Sequence, residues 1–483
     1  MGTYITDYFL YRKRFLLGYS LIAISVGIIL YLIGTTIPGG LTEGEMESVV
    51  QSSQLSFNSF TPESIINLPY HIVQKGSLSI LGVSVFSIKL PSLILGALSA
   101  VGLLLLLQTW FKRNVAIITT LIIIATGQFL FVSQNGTPTI MYIFWTVWLL
   151  LAAMMVSRHA AWQPFWKIIL FAAAALSLYT PLSVYILVAL VAASVLHPHL
   201  RFLMRRLSKP MLALAAFCGL VLVAPLIRSL IMQPSIGLTL LGIPNQWPQF
   251  DSNMLQILSQ YFNFAMPGGS SLMTPIYGLG SVIFIGLGLW QLFTTKYTAR
   301  SYIITIWLVL LLPILIINPN FISITFVPFM LLIGMGVNIL LANWYQMFPR
   351  NPYARIAGLV PLAVLIGGMV FSGLDRYMYG YQYNPAVAVN FSHDLPILNK
   401  EIATLGNSPS TLVATPQSMP FYQAVYRDKK ELTITTTTPS KPTSAVIVMN
   451  GVAKRPAGVP NKIVTNGFSD HSDRFYIYKS EVK

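Results

Sequence analysis

Four of the six carboxylates in residues 1–374 lie in one stretch, between residues 38 and 91. Glu43, Glu45 and Glu47 stand at alternate positions there, and Lys75 and Lys89 follow them. A carboxylate can accept the proton of an attacking hydroxyl group, and a lysine can neutralise a phosphate. Charges that are so concentrated in an otherwise apolar part of the chain predict a functional site in this stretch.

The composition of the chain predicts a polytopic membrane protein. Its 483 residues are 55% hydrophobic and only 9% charged, whereas soluble domains carry about a quarter charged residues. The net charge of +16 resides mostly in short loops between apolar runs, where basic residues set topology, and this distribution excludes a nucleic-acid partner. The single cysteine, Cys218, lies in an apolar run, and no Cys/His cluster has the spacing of metal ligands.

Basic clusters divide the apolar runs into pairs. If every cluster is cytoplasmic, an even number of spans separates consecutive clusters. This rule predicts about eleven transmembrane helices in the plasma membrane, with the N-terminus cytoplasmic and the C-terminal part outside. The run between residues 168 and 197 is also compatible with one long kinked span. The predicted spans are residues 15–37, 90–111, 115–132, 139–156, 168–180, 182–197, 210–231, 275–294, 301–317, 321–341 and 355–374.

A change in composition predicts two domains. Residues 1–374 form the membrane domain, and residues 38–89 are its first outer loop. Residues 375–483 hold 20 of the 44 charged residues and no apolar run long enough to span a membrane. Five short runs typical of strands and two helical segments predict a small extracytoplasmic α/β domain there.

Short passages follow one another in a characteristic order from the first loop into the second predicted span. They are Gly44-Glu45, Leu68-Pro69-Tyr70-His71, Leu81-Gly82-Val83-Ser84, and Lys89-Leu90-Pro91-Ser92 with Gly96, and runs 131–150 and 176–185 continue the pattern. This order resembles the polyprenyl-phosphate-dependent glycosyltransferases of the GT-C type, a group similar to glycosyltransferase family 39 that contains protein mannosyltransferases and aminoarabinose transferases. The resemblance implies transfer of a sugar from a polyprenyl phosphate to a glycan, lipid or protein acceptor on the outer face.

Three positions depart from the pattern of the family. Gly44 stands where the family has an aspartate, Lys89 stands where it has an arginine, and residues 133–137 lack an acidic residue that many members carry. No cofactor is implied apart from a divalent metal ion, which the reduced acidic set disfavours. Because these acidic residues are missing, an alternative interpretation stays open: the protein is a catalytically degenerate scaffold that binds a lipid-linked glycan or a protein partner. A transporter, the third alternative, would require paired charges or interrupted helices near the bilayer midplane.

The implied reaction assigns the carboxylates a role. The sugar leaves the lipid phosphate through an oxocarbenium-like transition state, and the acceptor hydroxyl needs a base. We expect Glu45 to be that base, with Glu43 as its substitute. On a helix the two side chains point about 200° apart, so only one of them can face a cavity. The alternative is an interfacial helix whose glutamates are merely solvated.

The cations predicted on the outer side are the candidates for binding the donor phosphate. Fifteen of the eighteen Lys and Arg residues in 1–374 are cytoplasmic in the predicted topology, and Lys75, Lys89 and Arg228 are the exceptions. Arginines and lysines within apolar segments are costly and are usually paired, although a lysine at a span terminus can simply reach lipid headgroups. We expect His71 and Asn135 to contact the substrate as well.

Overall fold

A computed structural model describes residues 39–55, 61–158, 162–206, 208–244, 248–264, 275–295, 297–347, 352–406, 408–427, 429–439, 445–467 and 473–479, with single positions between them and scattered positions between 16 and 28. The predicted first span, residues 15–37, therefore lies mostly outside the described residues, and the basic cluster before it, Arg12 to Arg14, lies outside them as well.

The described part of the membrane domain is a helical bundle. In chain order its α-helices are α1 (Glu43–Gln54), α2 (Leu68–Leu81), α3 (Val85–Trp110), α4 (Arg113–Ile124), α5 (Gly127–Gln134), α6 (Ile140–Ser157), α7 (Gln163–Ser177), α8 (Ser183–Leu196), α9 (Pro198–Arg206), α10 (Lys209–Met232), α11 (Ser235–Leu241), α12 (Phe250–Phe262), α13 (Leu279–Thr294), α14 (Ala299–Ile317), α15 (Phe326–Met347) and α16 (Pro352–Tyr383). Two 3₁₀ helices, Pro62–Ile65 and Pro319–Thr325, precede α2 and α15.

Six segments of the described chain are helical, long and apolar enough to cross a membrane, and two bent helix pairs raise the number to eight if each pair is one span. The pairs are α4 with α5, bent by 65°, and α8 with α9, bent by 94°. Helices α7 and α13 are apolar but shorter. The predicted membrane-helical class is thus confirmed, and the count of eleven stays a prediction. The six segments are Val85–Trp110, Ile140–Ser157, Lys209–Met232, Ala299–Ile317, Pro319–Trp344 and Val360–Tyr381.

The C-terminal part combines helices with a five-stranded mixed β-sheet, and an α/β arrangement is what the sequence predicts. After α17 (Pro385–Ala388) and α18 (Asp394–Leu405) come β1 (Ser410–Val413), α19 (Met419–Val425), β2 (Leu432–Thr435), β3 (Ala445–Met449), β4 (Lys462–Thr465) and β5 (Asp473–Tyr478). The strand order is β2-β1-β3-β5-β4. Strand β1 is parallel to β2 and β3, whereas β5 is antiparallel to β3 and β4. The alternating side chains of these strands bury two faces, as the period of two requires.

The first loop is packed against the C-terminal domain. Leu41 and Ser392 form an antiparallel bridge, with N–O distances of 2.8 and 2.7 Å. Val49 of α1 and Ile88 of α3 share a hydrophobic core with Phe421 of α19. Because apolar burial on both sides fixes the helix, α1 is held between the membrane domain and the sheet domain. Its position, and with it the direction of each glutamate, is therefore set by tertiary packing.

Candidate active site

Glu45 is fixed first by its own helix. Thr42 caps the N-terminus of α1 by accepting a hydrogen bond from the Glu45 N–H at 3.2 Å, and the Thr42 N–H donates to Glu45 Oε2 at 2.8 Å. This reciprocal arrangement is a capping box, which satisfies two backbone donors that the start of a helix leaves open. The box turns the carboxylate of Glu45 back towards the preceding loop, away from solvent.

The second oxygen of Glu45 meets two other parts of the chain. Glu45 Oε1 accepts the Gly136 N–H at 2.6 Å and lies 3.8 Å from Lys89 Nζ. Lys89 Nζ also donates to Gln134 Oε1 at 2.8 Å. The side chains of Glu45 and Lys89 are each only 1% exposed. The first loop, the start of α3 and the loop after α5 are thus joined by a buried, charged cluster.

A chain of polar side chains extends from this cluster to the surface. Gln74 Nε2 donates to the Gly136 carbonyl at 2.9 Å, and Gln74 Oε1 accepts from Ser48 Oγ at 2.8 Å and Ser52 Oγ at 2.6 Å. Ser52 Oγ is 2.9 Å from His71 Nδ1. Burial of the imidazole lowers the pKa of His71 to about 4, so the ring is neutral at pH 7.

A large cavity begins where this polar chain ends. Its volume is about 1400 Å³. His71 lines it, together with the exposed Lys75 and Glu63 of the first loop and Arg427 of the C-terminal domain. We call it the outer cavity. Glu45 and Lys89 do not line it, because Gln74 and the two serines lie between.

The remaining candidates occupy different places. Glu43 and Glu47 are exposed, on the face of α1 opposite Glu45. Lys75 Nζ donates to the Leu55 carbonyl. Arg228 is exposed on α10, and it does not line the outer cavity. The predicted cations are thus distributed over three sites.

Asn135 lies directly beside the charged cluster. Its N–H caps α5 by donating to the Phe131 carbonyl at 2.9 Å, which leaves the side chain free to point elsewhere. The side chain is buried, and its Oδ1 has no hydrogen-bond partner among the described residues. Buried polar atoms normally have a partner, so this oxygen remains able to accept a hydrogen bond from a ligand.

The residues that complete the cluster were not predicted. Gln74, Gln134 and Gly136 contribute the amide and backbone groups that hold Glu45 and Lys89. The available signal was weak: a glutamine within an apolar helical run must find a polar partner when it is buried. Among the described residues no group of three His, Cys, Asp or Glu side chains could hold a metal ion, and the isolated carboxylate of Glu45 does not fit one.

Comparison with known proteins links this site to a family. Residues 69–228 match the dolichyl-phosphate-mannose-protein mannosyltransferase family. The crystal structure of ArnT from Cupriavidus metallidurans in the apo state aligns over 96% of this chain and 98% of its own, with a TM-score of 0.53 and 11% identity. The chain has the GT-C fold. The resemblance predicted from the sequence is therefore confirmed, and the chain is a multi-pass membrane protein related to polyprenyl-phosphate-dependent glycosyltransferases.

Two further structures share the GT-C fold with this chain. ArnT from the same organism bound to undecaprenyl phosphate aligns over 96% of this chain and 98% of its own, with a TM-score of 0.52 and 14% identity. The apo oligosaccharyltransferase of Archaeoglobus fulgidus aligns over 86% of this chain and 64% of its own, with a TM-score of 0.50 and 12% identity. At these identities the likeness shows the fold alone. No curated protein matches the sequence significantly.

Proposed function

We propose that the protein is a membrane glycosyltransferase that moves a sugar from a polyprenyl-phosphate donor to an acceptor hydroxyl at the outer membrane face. The observation that carries the proposal is the buried Glu45–Lys89 cluster. Its parts come from the first loop, the start of α3 and the loop after α5, which are the passages that resemble the GT-C enzymes. A fold without a role for these charges would gain little from burying them, because ion pairs lose much of their hydration on burial.

The proposed reaction replaces one bond at the anomeric carbon. The acceptor oxygen attacks C1 of the sugar, the C1–O bond to the phosphate breaks, and the phosphate leaves with the electron pair. The proton of the acceptor hydroxyl passes to a carboxylate. Glu45 is the proposed base, and Glu43 is its proposed substitute. Because every donor around Glu45 is already in place, the acceptor hydroxyl must displace one of them. Lys89, at 3.8 Å from Glu45 Oε1, is the most distant.

The other candidates receive roles that match their positions. Lys89, once displaced, is proposed to neutralise the leaving phosphate. Lys75 and His71 line the outer cavity and are proposed to contact the substrate from the aqueous side. Asn135 is proposed to bind it beside the cluster. Arg228, which is exposed on α10, is proposed to meet the phosphate of a lipid at the membrane surface.

The proposed membrane arrangement follows the distribution of basic residues. Eleven spans would place the N-terminus in the cytoplasm, and the first loop and the domain of residues 375–483 outside. Described helices overlap each predicted span after residue 89, although the span at 115–132 is the bent pair α4 and α5, and α7 and α13 are shorter than the six long apolar segments. Helix α1 of the first loop contacts α19 of the C-terminal domain. Neither helix is long enough to cross a membrane, so this contact supports a position of the first loop and the C-terminal domain on the same side of the membrane.

Two observations favour the second candidate, a catalytically degenerate scaffold that binds a lipid-linked glycan or a protein partner. Glu45 is entirely buried, and Gly44 occupies the position of the family's aspartate. A Cβ at Gly44 would meet only Thr137 Cγ2, at 3.6 Å. An aspartate therefore fits there. If Gly44→Asp creates transfer activity in a protein that otherwise has none, the scaffold is the correct interpretation of the natural chain.

The decisive experiment measures transfer by the purified protein. The protein in lipid vesicles is supplied with a panel of polyprenyl-phosphate-linked sugars and short acceptors, and glycosylated products are detected by mass spectrometry. We expect product with the natural chain and its loss in Glu45→Gln with Glu43→Gln. Glu47→Gln, an exposed neighbour on the same helix, is the matched control and should retain activity. The absence of product from every donor with the natural protein, folded and monodisperse, would refute the enzyme proposal.

A further inference from the structure

A cavity lies at the end of the bundle away from the Glu45–Lys89 cluster. It has a volume of about 360 Å³ and lies among the second half of α6, α7, α8, α9 and the first turns of α14. Trp110, the last residue of α3, lines it, and Lys89 is near the start of the same helix. At a rise of 1.5 Å per residue, the helix between them places the cavity about 30 Å from the proposed reaction site. We call it the apolar cavity.

The wall of the apolar cavity suits a hydrocarbon chain. Its two serines, Ser157 and Ser194, donate to carbonyls of their own helices at 2.9 and 2.7 Å. Val191 and Met204, which also line the cavity, are 64% and 50% exposed. Apolar side chains that are left exposed in a membrane protein contact lipid tails. The cavity therefore opens towards the bilayer, and its volume falls within the range of about 300–1,000 Å³ that small ligands occupy.

One polar group of this wall has no partner in the described part of the chain. The indole N–H of Trp110 is buried and makes no hydrogen bond there, although the Trp110 carbonyl accepts from Arg300 Nη1 at 3.0 Å. Buried N–H groups are normally paired, and tryptophans at a membrane interface place this group where it can meet polar acceptors. The N–H is therefore available to an acceptor such as the ester carbonyl of a lipid.

A buried lysine stands one helical turn from the wall. Lys167 precedes Leu170 and Phe171, which line the cavity, by one turn of α7, so the three residues share a face of the helix. Lys167 is 3% exposed, and its Nζ donates to Ser208 Oγ at 2.9 Å. An ammonium group has three donors, and none of the ion pairs among the described residues involves Lys167. Because a buried cation without a counter-ion is costly, this position favours an anionic ligand.

Helix α9 brings arginines to the mouth of the apolar cavity. It bends away from α8 by 94°. The residues of α9 that line the cavity are Leu200, Leu203 and Met204. At 3.6 residues per turn, Arg201 and Arg206 flank this apolar stripe, whereas Arg205 lies on the opposite side of the helix. An amphipathic helix with basic residues beside its apolar stripe is typical of the membrane interface.

Arg206 is the flanking arginine that stays available to an anion. Arg201 donates through Nε and Nη2 to the Val195 carbonyl of α8, at 3.0 and 2.6 Å, and thereby holds the bend between the two helices. Arg206 is exposed, and its guanidinium carbon lies 4.2 Å from the ring centroid of Phe202. Stacking on a ring leaves the N–H groups at the edge of the guanidinium free to bind oxygen atoms.

Lys167 and Arg206 lie at the same part of the rim. Ser208, which accepts the hydrogen bond of Lys167, follows Arg206 by two residues. Residues 64–250 contain no Asp or Glu, and neither cation has an ion pair to the described residues. A phosphate would therefore supply the negative charge that this part of the chain lacks. Basic pockets between transmembrane helices are suited to anionic lipid head groups.

We propose that the apolar cavity binds an anionic glycerophospholipid. One acyl chain enters the cavity, the phosphate binds between Lys167 and Arg206, and the Trp110 N–H donates to an ester carbonyl. The lipid belongs to the leaflet at this end of the bundle, which the proposed topology makes the cytoplasmic one. Because the bound lipid contacts five helices at once, it should stabilise the membrane domain. The site takes no part in the proposed transfer of a sugar and does not depend on it.

The experiment measures lipid binding by the detergent-solubilised full chain. The protein is titrated with dioleoyl-phosphatidylglycerol, and native mass spectrometry gives the affinity of the first bound molecule. Dioleoylglycerol tests the tails alone, inorganic phosphate tests a free anion, dioleoyl-phosphatidylcholine tests a zwitterionic head, and undecaprenyl phosphate tests another anionic lipid. The variants are Lys167→Met, Arg206→Met and Trp110→Phe. The matched control is Arg205→Met, an exposed arginine on the opposite side of the same helix.

We expect Lys167→Met to weaken binding of phosphatidylglycerol roughly tenfold to hundredfold, the usual effect of losing a charge-assisted hydrogen bond. Arg206→Met, at the exposed rim, should weaken it about fivefold. Trp110→Phe should weaken it about twofold to tenfold without lowering the melting temperature of the lipid-free protein, because its N–H makes no hydrogen bond there. Arg205→Met should bind as the natural chain does. Dioleoylglycerol, phosphatidylcholine and undecaprenyl phosphate should bind this site more weakly, and inorganic phosphate should not compete.

Several results would overturn the lipid site. Equal affinity of Lys167→Met and the natural chain, both folded by their melting temperatures, would do so; if Lys167→Met does not fold, unchanged binding in both Arg206→Met and Trp110→Phe would do the same. Equal weakening by Arg205→Met and Arg206→Met would show a general attraction to basic helices instead of a site. Tighter binding of phosphatidylcholine, dioleoylglycerol or undecaprenyl phosphate would refute an anionic glycerophospholipid as the occupant, and full competition by inorganic phosphate would refute a role for the acyl chain.

Discussion

The Glu45–Lys89 cluster allows a quantitative test. The two charged groups are 3.8 Å apart and their side chains are 1% exposed. At this separation an effective dielectric constant of about 20 gives an attraction of roughly 4 kcal/mol. Lys89→Met would leave the buried carboxylate with backbone and hydroxyl donors but no counter-ion, and Glu45→Gln would leave a buried ammonium group with a single amide acceptor. Each change should therefore lower the free energy of unfolding by about 3–5 kcal/mol.

The pair of variants, taken together, isolates the interaction. When both charges are removed, neither is left buried and unpaired, so the double variant should be more stable than the sum of the single effects by about 2–3 kcal/mol. Unfolding is measured by SDS titration of the detergent-solubilised protein, followed by tryptophan fluorescence and circular dichroism. Glu47→Gln, whose side chain is exposed, should change the free energy by less than about 0.5 kcal/mol.

Strictly additive effects of Glu45→Gln and Lys89→Met would show that the two charges do not interact. A Glu45→Gln variant as stable as Glu47→Gln would contradict the burial of the carboxylate. Either outcome would remove the main support for the proposed site, because the site depends on a charged cluster that is closed to water in the resting protein.

Three further measurements test the loop at Gly136, the buried His71 and the C-terminal domain. A Cβ at Gly136 would lie 2.9 Å from the Ile88 carbonyl oxygen and 3.3 Å from Glu45 Oε1, so Gly136→Ala should destabilise the protein by about 1–3 kcal/mol; Gly76→Ala, with open space around its Cβ, should leave stability unchanged or raise it. Burial lowers the pKa of His71 to about 4, below the usual 6.5, so the folded state binds fewer protons. Stability should therefore fall by about 3 kcal/mol as the pH is lowered from 6.5 to 4, and His71→Asn should remove this part of the pH dependence in SDS titrations. The guanidinium of Arg474 holds the buried carboxylate of Asp394 at 2.6 and 2.7 Å, so Arg474→Ala should destabilise the C-terminal domain by about 2 kcal/mol and speed its cleavage by trypsin.

Local patterns in the sequence determined the helices and the strands. Each apolar run after residue 89 is helical, although the run 115–132 is divided into α4 and α5, and the five short β-rich runs are the five strands. Hydrophobic period and length depend only on neighbouring residues. The same helical geometry placed Glu45 on one side of α1 and both Glu43 and Glu47 on the other. Nothing beyond the positions of these residues and the turn of the helix was needed for this result.

The tertiary structure alone decided which groups meet. Glu45 is fixed by the N–H of Gly136, which is 91 positions away in the chain, and no local pattern encodes a contact at such a separation. Lys89 joins Glu45, whereas Lys75 and Arg228 lie elsewhere, since the packing of α2, α3 and α10 directs similar cations to different surfaces. A single cavity is lined by Arg376, Gln128 and Tyr277 only because α16 packs against the bend between α4 and α5. Composition and periodicity describe each segment by itself, and a binding site depends on how distant segments pack together.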